Sequence, residues 1–362
     1  MSSNIGKYIN MQIFGESHGK AIGVVLDGLP HGEKIDLDEI AVQMARRAPG
    51  NDKSSTPRKE ADLPEILSGT LDGVTTGAPL CAVIQNSNTR SGDYANLVNT
   101  PRPSHADYPA SIRFGGHNDL SGSGHFSGRL TAPMTFAGAL CRQILERRGI
   151  TVGGHIYSIG GVLDTPFDPV NVCPEQLNSL NKRSFSVISP EAEKQMRDKI
   201  EEARKSLDSV GGTVEIAVCG IDAGCGDVMF GSVESRISEA LFGVPAVKGV
   251  EFGAGFAFSQ MRGSDANDRY ALSGGKITTQ SNNNGGLLGG LTNGMPLIFR
   301  AVLKPTPSIA KEQETLNIKT MEAENLIIKG RHDPCVVGRA LPAIENLVCF
   351  VLCDILKGNG KI

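Results

Sequence analysis

Residues 339–357 read Arg-Ala-Leu-Pro-Ala-Ile-Glu-Asn-Leu-Val-Cys-Phe-Val-Leu-Cys-Asp-Ile-Leu-Lys, and this segment constrains the fold more than any other. Its apolar residues recur at helical spacing; they are Leu341, Ile344, Leu347, Val348, Val351, Leu352 and Ile355. A helix that is apolar over so much of its surface lies deep in a protein core. We therefore predict a long, buried helix over 339–357.

Four other helices are predicted from apolar spacing and capping residues. One begins at the acidic pattern Asp36–Glu39 and ends on Arg46 and Arg47 before a Pro-Gly pair. The others cover 129–148, 190–207 and 232–243. Strand-like segments lie between the helices, at 8–14, 22–26, 79–84, 213–218 and 296–302. Because strands and helices do not alternate strictly, we predict an α+β fold with antiparallel sheets rather than a doubly wound parallel sheet.

Composition limits the function classes. The chain has 362 residues, of which 40% are hydrophobic and 21% charged, as is usual for globular proteins. No repeat or linker divides it, so we predict one interwoven domain over 1–362. The net charge of −3 gives no general attraction for nucleic acid or anionic membranes. Eight cysteines without Cys-x-x-Cys or zinc spacing predict reduced thiols and no metal site. With no signal peptide and no long apolar run, we expect a cytoplasmic protein.

Candidate functional residues lie in four loops that are far apart in sequence: Gly15–Gly19, Arg102–Tyr108, Ser121–Arg129 and Gly330–Pro334. Each loop is rich in Gly, Pro or Ser and contains a histidine, an arginine or both. Functional side chains are often carried on loops that a rigid scaffold positions. We therefore predict one catalytic site that is assembled from the whole fold.

The two histidines His18 and His105 each allow two interpretations. Gly15–Gly19 formally matches the Gly-x-Ser-x-Gly nucleophile elbow, but that motif requires a helix after the serine, and a strand-like segment follows here. His18 is then either a solvated residue of a hairpin turn or a general acid. His105 follows Arg102-Pro103-Ser104 and is either a positioned catalytic histidine or an exposed loop residue.

The loop 121–129 predicts anion binding, because a Ser/Gly loop leading into a helix presents unpaired N–H groups and a positive dipole end. Its glycine pattern is one residue off the dinucleotide-binding fingerprint, and no strand-like segment leads directly into it. A simple glycine-rich helix entry is the alternative to anion binding. Cationic residues are concentrated in the first third of the chain: Arg46, Arg47, Lys53, Arg58, Arg102, Arg113 and Arg129. Such a cluster suits a small substrate with several anionic groups.

Three more segments have both a functional and a structural interpretation. The paired glycines of 281–290 permit close approach to a flat ligand, and Lys304–Ser308 offers a cation and two hydroxyls on a stiff loop. Both segments can equally be turns. Arg331 beside Asp333 would keep the carboxylate ionised as a base, although a structural salt bridge explains the same pair.

Taken together, these segments resemble the chorismate synthase family over nearly the whole chain. The matching stretches are Gly15–Gly19, Arg46–Gly50, Arg102–Tyr108, 121–131, Ala246–Gly253, Asn282–Gly290, Lys304–Ser308 and Arg331–Cys335. The resemblance implies conversion of 5-enolpyruvylshikimate 3-phosphate to chorismate and phosphate by a 1,4-anti elimination, in the shikimate pathway of aromatic amino acid biosynthesis. It implies that reduced FMN is required without net redox change. It also implies a β-α-β sandwich, with helices between antiparallel sheets, and a homotetramer.

The resemblance also implies roles for individual residues. His18 resembles the acid that protonates the departing phosphate, and His105 resembles the histidine that controls protonation of the reduced flavin. Asp333 resembles the residue that helps to remove the substrate proton through flavin N5. The residues matched to substrate binding are Ser17, Arg47, Arg102, Arg129 and Arg331. Those matched to FMN binding are His125, Phe126, Ser127, Pro245, Ala246, Gly289, Lys304, Pro305, Thr306, Pro307, Ser308 and Arg331.

The chain departs from the family pattern at several of these positions. His125 stands where an FMN-facing arginine is common, and Pro245 stands where asparagine is frequent. Ala48 replaces one member of an arginine triplet, Lys53 replaces an arginine, and Ser104 replaces the glycine of Arg-Pro-Gly-His. We expect altered FMN contacts at His125 and an unchanged position for His105.

Two other functions compete with this interpretation. A flavin-dependent oxidoreductase would need a dinucleotide-binding unit, which the sequence lacks. A non-catalytic binding protein for a phosphorylated metabolite would use the same arginines and loops. Because no long insertion could house flavin reduction, we also expect the protein to depend on an external flavin reductant.

Overall fold

The computed structural model describes residues 3–50, 62–86, 97–328 and 333–362. The helices are α1 (Leu37–Arg47), α2 (Asp107–Phe114), α3 (Thr131–Glu146), α4 (Pro174–Leu180), α5 (Pro190–Lys205), α6 (Val233–Phe242), α7 (Gly263–Ala266) and α8 (Val337–Gly358). The strands of the N-terminal part are β1 (Asn4–Ile5), β2 (Asn10–Gly15), β3 (Ala21–Asp27), β4 (Pro64–Ser68), β5 (Thr70–Leu71), β6 (Val74–Thr75) and β7 (Leu80–Gln85). The remaining strands are β8 (Thr151–Ile159), β9 (Val162–Leu163), β10 (Gly212–Cys219), β11 (Val247–Phe252), β12 (Tyr270–Ser273), β13 (Lys276–Thr279), β14 (Leu287–Leu288), β15 (Leu291–Thr292), β16 (Leu297–Leu303), β17 (Gln313–Asn317) and β18 (Glu322–Leu326).

Two five-stranded antiparallel sheets enclose a layer of helices. The first sheet has the order β1-β2-β3-β7-β4, and the second has the order β11-β16-β10-β8-β9. Helix α3 packs on β2, β3 and β7 of the first sheet, α8 packs on β8 and β10 of the second, and the two helices pack on each other. The predicted α+β class and sandwich are confirmed. Within the described residues, no helix is both long and apolar enough to cross a lipid bilayer.

The helices and strands form where capping residues and apolar spacing in the sequence predicted them. Asp36 caps α1 by accepting hydrogen bonds from Asp38 N at 2.9 Å and Glu39 N at 3.2 Å. All five predicted helices and all five predicted strands are present within a few residues of their predicted bounds. The segment after Gly19 is strand β3 and not a helix, which excludes the nucleophile elbow. That residues 1–362 form a single domain stays a prediction.

Helices α3 and α8 run in the same direction and touch through their backbones. A Cβ atom on Gly138 of α3 would lie 1.9 Å from the backbone oxygen of Asn346 in α8. Further toward the C-terminal ends of both helices, Cys353 Sγ donates to the carbonyl oxygen of Cys141 at 3.4 Å. Contacts therefore advance together along both helices, and both helices begin at the same end of the sandwich.

A buried polar layer fixes α1 against this helix pair. Arg46 of α1 donates to Glu345 Oε2 at 2.6 Å, and the Glu345 side chain is fully buried in α8. Asn346 donates to Gln43 Oε1 at 3.2 Å and accepts from Arg142 Nε of α3 at 3.1 Å. Arg46, which the sequence grouped with the anion-binding cations, therefore has a structural role because Glu345 already neutralises it.

We expect Gly138→Ala to lower the free energy of unfolding by about 3 kcal/mol, because the added methyl group cannot be accommodated without separating the helices. Gly338→Ala, in the first turn of α8, is the matched control, since its Cβ would meet its nearest neighbour only at 3.8 Å. We expect this control to stabilise the protein slightly through helix propensity. Urea unfolding measures both, and equal stabilities would contradict the close contact.

A buried ionic cluster stabilises the outer face of the second sheet. His155 on β8 is fully buried, with Nδ1 2.8 Å from Asp164 Oδ2 and Nε2 2.9 Å from Glu215 Oε2. Arg300 on β16 donates to Glu215 Oε1 at 2.8 Å. Burial alone would lower the pKa of His155, but the hydrogen bonds to the two carboxylates outweigh burial and raise it. Both ring nitrogens therefore donate, and the imidazolium holds β8 to β10.

We expect the contribution of His155 to the stability of the fold to be lost at high pH. The folded pKa of His155 lies above its ordinary value of 6.5, so its contribution is complete below that value and is lost as the pH rises through the folded pKa. The pKa values of Asp164 and Glu215 are lowered, so their contribution is lost only in acid. We expect the stability difference between wild type and His155→Gln to shrink between pH 6 and pH 9. A constant difference in denaturant titrations would contradict a charged His155.

Candidate active site

A cavity of about 720 Å³ lies at the end of the sandwich where α3 and α8 begin. Its wall comes from loops that are remote in sequence, together with the first turns of these two helices. It contains most of the predicted site residues: Arg47, Arg102, His105, His125, Phe126, Ser127, Arg129, Pro245, Ala246, Lys304, Thr306, Pro307, Ser308 and Asp333. The structure therefore brings together, in one place, segments that the sequence linked only by their chemistry.

Some predicted residues lie beside the cavity or away from it. A Cβ on Gly122, which lines the cavity, would lie 2.6 Å from both His18 Nε2 and Ser17 Oγ. His18 and Ser17 therefore pack directly behind the cavity wall. Gly289 lies in the turn between β14 and β15, outside the lining, and Pro305 is also not part of it. Arg331 lies outside the described residues.

One buried carboxylate holds two of the predicted substrate-binding arginines. Asp62 has a fully buried side chain and accepts from Arg47 Nη1 at 2.5 Å and from Arg129 Nη1 at 2.8 Å. Arg129 Nε also donates to Asn86 Oδ1 at 2.5 Å. Arg47 ends α1 and Arg129 lies two residues before α3, so Asp62 fixes both guanidinium groups at the edge of the same cavity. Their positions are thus set before any ligand binds.

A second carboxylate, Asp107, organises Arg102 and His105. It accepts from Arg102 Nε at 2.7 Å, from Arg102 Nη2 at 2.7 Å, and lies 2.6 Å from His105 Nδ1. Burial raises the pKa of Asp107, but hydrogen bonds from Arg102 and His105 outweigh burial and hold this pKa well below its ordinary range. With Nδ1–H directed to the carboxylate, Nε2 of His105 is the ring nitrogen that can exchange a proton with a ligand.

Two of the segments matched to FMN, 245–246 and 304–308, lie side by side. Lys304 N donates to Ala246 O at 2.9 Å, which joins the 245–246 and 304–308 segments. Ser308 Oγ accepts from Arg102 Nη1 at 3.1 Å, and Lys304 Nζ donates to the carbonyl oxygen of Ser104 at 2.5 Å. These FMN-matched segments therefore adjoin the loop that carries Arg102 and His105.

The chemistry of the cavity wall fits a flavin nucleotide. Among the described residues, Thr306 Oγ1 is a buried hydroxyl without a hydrogen-bond partner in the protein, as expected of a group that binds a ligand. Lys304 and Lys248 supply cations for a phosphate, and the exposed ring of Phe126 offers an aromatic surface. The described residues contain no cluster of His, Cys, Asp and Glu that would hold a metal ion.

His125, the main departure from the family pattern, is held by the N-terminal sheet. Its Nδ1 donates to the carbonyl oxygen of Gly15 at 2.8 Å, and its Nε2 lies 2.9 Å from Ser3 Oγ. The imidazole still lines the cavity. It offers a ligand less charge and fewer donors than the arginine that is common at this position.

The cavity wall is strongly cationic although the chain is slightly acidic. Six cations line it: Arg47, Arg102, Arg129, Lys248, Lys304 and Arg339. Asp333 is the one acidic residue in the described part of the lining, and Arg339 Nη1 donates to its Oδ2. The carboxylates Asp62 and Asp107 lie buried behind the arginines. The cavity therefore favours a ligand with several negative charges and contains a single carboxylate that can accept a proton.

Several residues of this site were not predicted from the sequence. Asp62 binds two arginines that are 15 and 67 residues away, and no local pattern marks it. Asp107 belongs to the Arg102–Tyr108 motif, but the sequence suggested no role for it. It begins helix α2, where the sequence predicted only a loop. Arg339 was treated only as the start of the buried helix.

The backbone conformation at Ser104 favours glycine. Ser104 has φ = +58°, in the left-handed region that glycine adopts without a Cβ penalty. We expect Ser104→Gly to raise the free energy of unfolding by about 1 kcal/mol, since the left-handed strain is relieved. Thermal unfolding measures the change, with Ser111→Gly in helix α2 as a control that should destabilise. A loss of stability in Ser104→Gly would contradict the strained backbone.

The known proteins that this chain resembles are chorismate synthases. The family model described as chorismate synthase matches residues 9–356. The chain is 45% identical over 354 residues to the chorismate synthase of Thermococcus gammatolerans, covering 96% of each protein. It is 42% identical to that of Dehalococcoides mccartyi, covering all of this chain and 98% of the relative. It is also similar to a crystal structure of chorismate synthase, with a TM-score of 0.75, 27% identity and coverage of 98% and 93%.

Proposed function

Because the chain belongs to the chorismate synthase family, we propose that it converts 5-enolpyruvylshikimate 3-phosphate to chorismate and phosphate by a 1,4-anti elimination. One observation supports this most strongly. A single cavity combines three fixed arginines, Arg47, Arg102 and Arg129, with His105 and one carboxylate, Asp333. These groups serve the elimination as cations for an anionic substrate, a histidine that can exchange a proton and a carboxylate that can accept one.

The arginines bind and orient the substrate. The substrate carries one phosphate and two carboxylates, and the cavity offers guanidinium groups that suit both kinds of anion. Asp62 and Asp107 hold these groups in place without ligand, so little side-chain ordering remains to be done on binding. Ser17 packs behind the wall at Gly122, and we assign it to the binding of the substrate's phosphate.

Three residues handle protons in this proposal. His18 donates a proton to the departing phosphate from behind the Gly122 turn. His105, oriented through Nδ1 by Asp107, controls a proton at its Nε2. Asp333 accepts, through its carboxylate oxygens, the proton that the substrate loses. Separate sites for the acid and the base suit an elimination in which the proton and the phosphate leave from opposite faces.

We also propose that the cavity binds reduced FMN. The residues that would hold it are 125–127, 245–246, 304 and 306–308, which line the cavity and include the unpaired hydroxyl of Thr306. Gly289 and Pro305 are not part of this lining. When bound, reduced FMN would supply the electron density that eases departure of the phosphate, with no net redox change. The protein contributes the binding surface and the exclusion of water.

The reductant, the assembly and the location of the protein are further parts of the proposal. We propose an external source of reduced flavin, because no dinucleotide-binding unit was found in the sequence. We propose a homotetramer, in line with large apolar side chains that are exposed in the single chain: Met229, Phe230 and Phe256. A cytoplasmic location agrees with eight free cysteines.

The decisive experiment is an anaerobic assay with dithionite-reduced FMN and the substrate, in which phosphate and chorismate are measured together. We expect equal amounts of both products with reduced FMN and none with oxidised FMN. His18→Asn and His105→Asn should each lower kcat by about 10²–10⁴-fold while substrate binding persists, because each removes a proton-transfer group. His31→Asn, on the surface, is the control.

Each rival function predicts a different result. In this assay, a binding protein would bind the substrate without product. In a second assay with NADPH and oxidised FMN, an oxidoreductase would consume the nicotinamide cofactor in stoichiometric amounts. Robust turnover by the purified protein with NADPH and oxidised FMN alone would contradict the external reductant. Wild-type turnover in both histidine variants would contradict their roles.

A further inference from the structure

We propose that Arg339 is a positioning residue, which holds the carboxylate of Asp333 at the cavity wall and ties it to the end of α1 that carries Arg47. The inference rests on the proposed function, since it assigns Asp333 the role of proton acceptor. Nothing in the sequence had assigned Arg339 to the site.

The position of Arg339 in α8 is electrostatically unfavourable for a cation. It is the third residue of α8, at the end of the helix where the backbone dipole is positive. The first turn of α8 contains no acidic residue, and its N-cap residue, Val336, makes no side-chain hydrogen bond. By contrast, α1 and α5 have acidic residues in the first turn and basic residues in the last. A cation against the helix dipole suggests that function maintains it.

The contacts of Arg339 connect two parts of the site. Nη1 donates to Asp333 Oδ2, and Nε donates to the backbone oxygen of Arg47 at 3.4 Å. The Arg47 side chain itself pairs with Asp62. One guanidinium group therefore bridges the proposed base and the last turn of a helix that supplies a substrate-binding arginine.

The geometry favours positioning over direct binding of the substrate. The Arg339 side chain is 23% exposed and that of Asp333 is 12% exposed, so the pair lies in the wall rather than in the open cavity. Two of the donors of Arg339 are directed at protein oxygens. Loss of the guanidinium group would let the carboxylate turn away from its reactive position, and a displacement of about 1 Å can cost on the order of 10²-fold in rate.

Steady-state kinetics of Arg339→Gln and Arg339→Lys, with reduced FMN, test this inference. We expect Arg339→Gln to lower kcat by about 10–100-fold with KM changed by less than about threefold. Arg339→Lys should restore part of kcat because it returns a cation to Asp333. The matched control is Arg236→Gln, which breaks the Arg236–Asp354 pair at the opposite end of α8 and should leave kcat unchanged. Melting temperatures of all variants identify general loss of stability.

A double variant separates positioning from other roles. If Arg339 acts through Asp333, Arg339→Gln combined with Asp333→Asn should be no slower than Asp333→Asn alone. Multiplicative losses, an increase in KM alone, or wild-type kcat in Arg339→Gln would each overturn the inference while leaving the proposed function intact. A wild-type protein that forms no chorismate would overturn the proposed function and this inference with it.

Discussion

The architecture depends on the backbone contact between α3 and α8, which only glycine at position 138 permits. Because the two helices touch along parallel paths, both begin at the same end of the sandwich. Arg129 lies just before α3, and Asp333 and Arg339 lie at the start of α8. The buried Arg46–Glu345 pair then fixes α1, so that the next residue, Arg47, reaches the same place. The site is thus a geometric consequence of how the helices pack, and residues that are almost 300 positions apart come to share one cavity.

Two buried carboxylates explain how a chain of net charge −3 maintains a cationic cavity. Asp62 and Asp107 neutralise part of the charge of the arginines from behind and fix the directions of their donors. Without these carboxylates, three guanidinium groups close together would repel one another and move apart. The remaining positive charge faces the cavity, where an anionic substrate can compete for the outward donors. Charge is therefore organised in layers, with acids buried, arginines above them and the ligand outermost.

The sequence predicted most of the fold and the main site residues, because both leave local signals. The apolar spacing of 339–357 marked α8, and the Gly/Pro/Ser-rich loops marked the cavity wall. Strand β8 was not predicted because Gly153 and Gly154 interrupt its pattern. Both glycines are needed for tertiary packing, since a Cβ on Gly154 would lie 2.5 Å from Ile216 Cδ1. Asp62 and Arg339 left no signal for a related reason: their partners are distant in sequence, and only the folded chain shows what they hold.

One cavity, at the start of α3 and α8, is proposed to bind the substrate and the flavin together. A crystal structure of the protein with oxidised FMN and 5-enolpyruvylshikimate 3-phosphate would show directly whether it does. We expect the flavin against 245–246 and 304–308, with the substrate's anionic groups on Arg47, Arg102 and Arg129. Either ligand bound elsewhere on the protein, with these three arginines making no contact to the substrate, would refute the shared cavity.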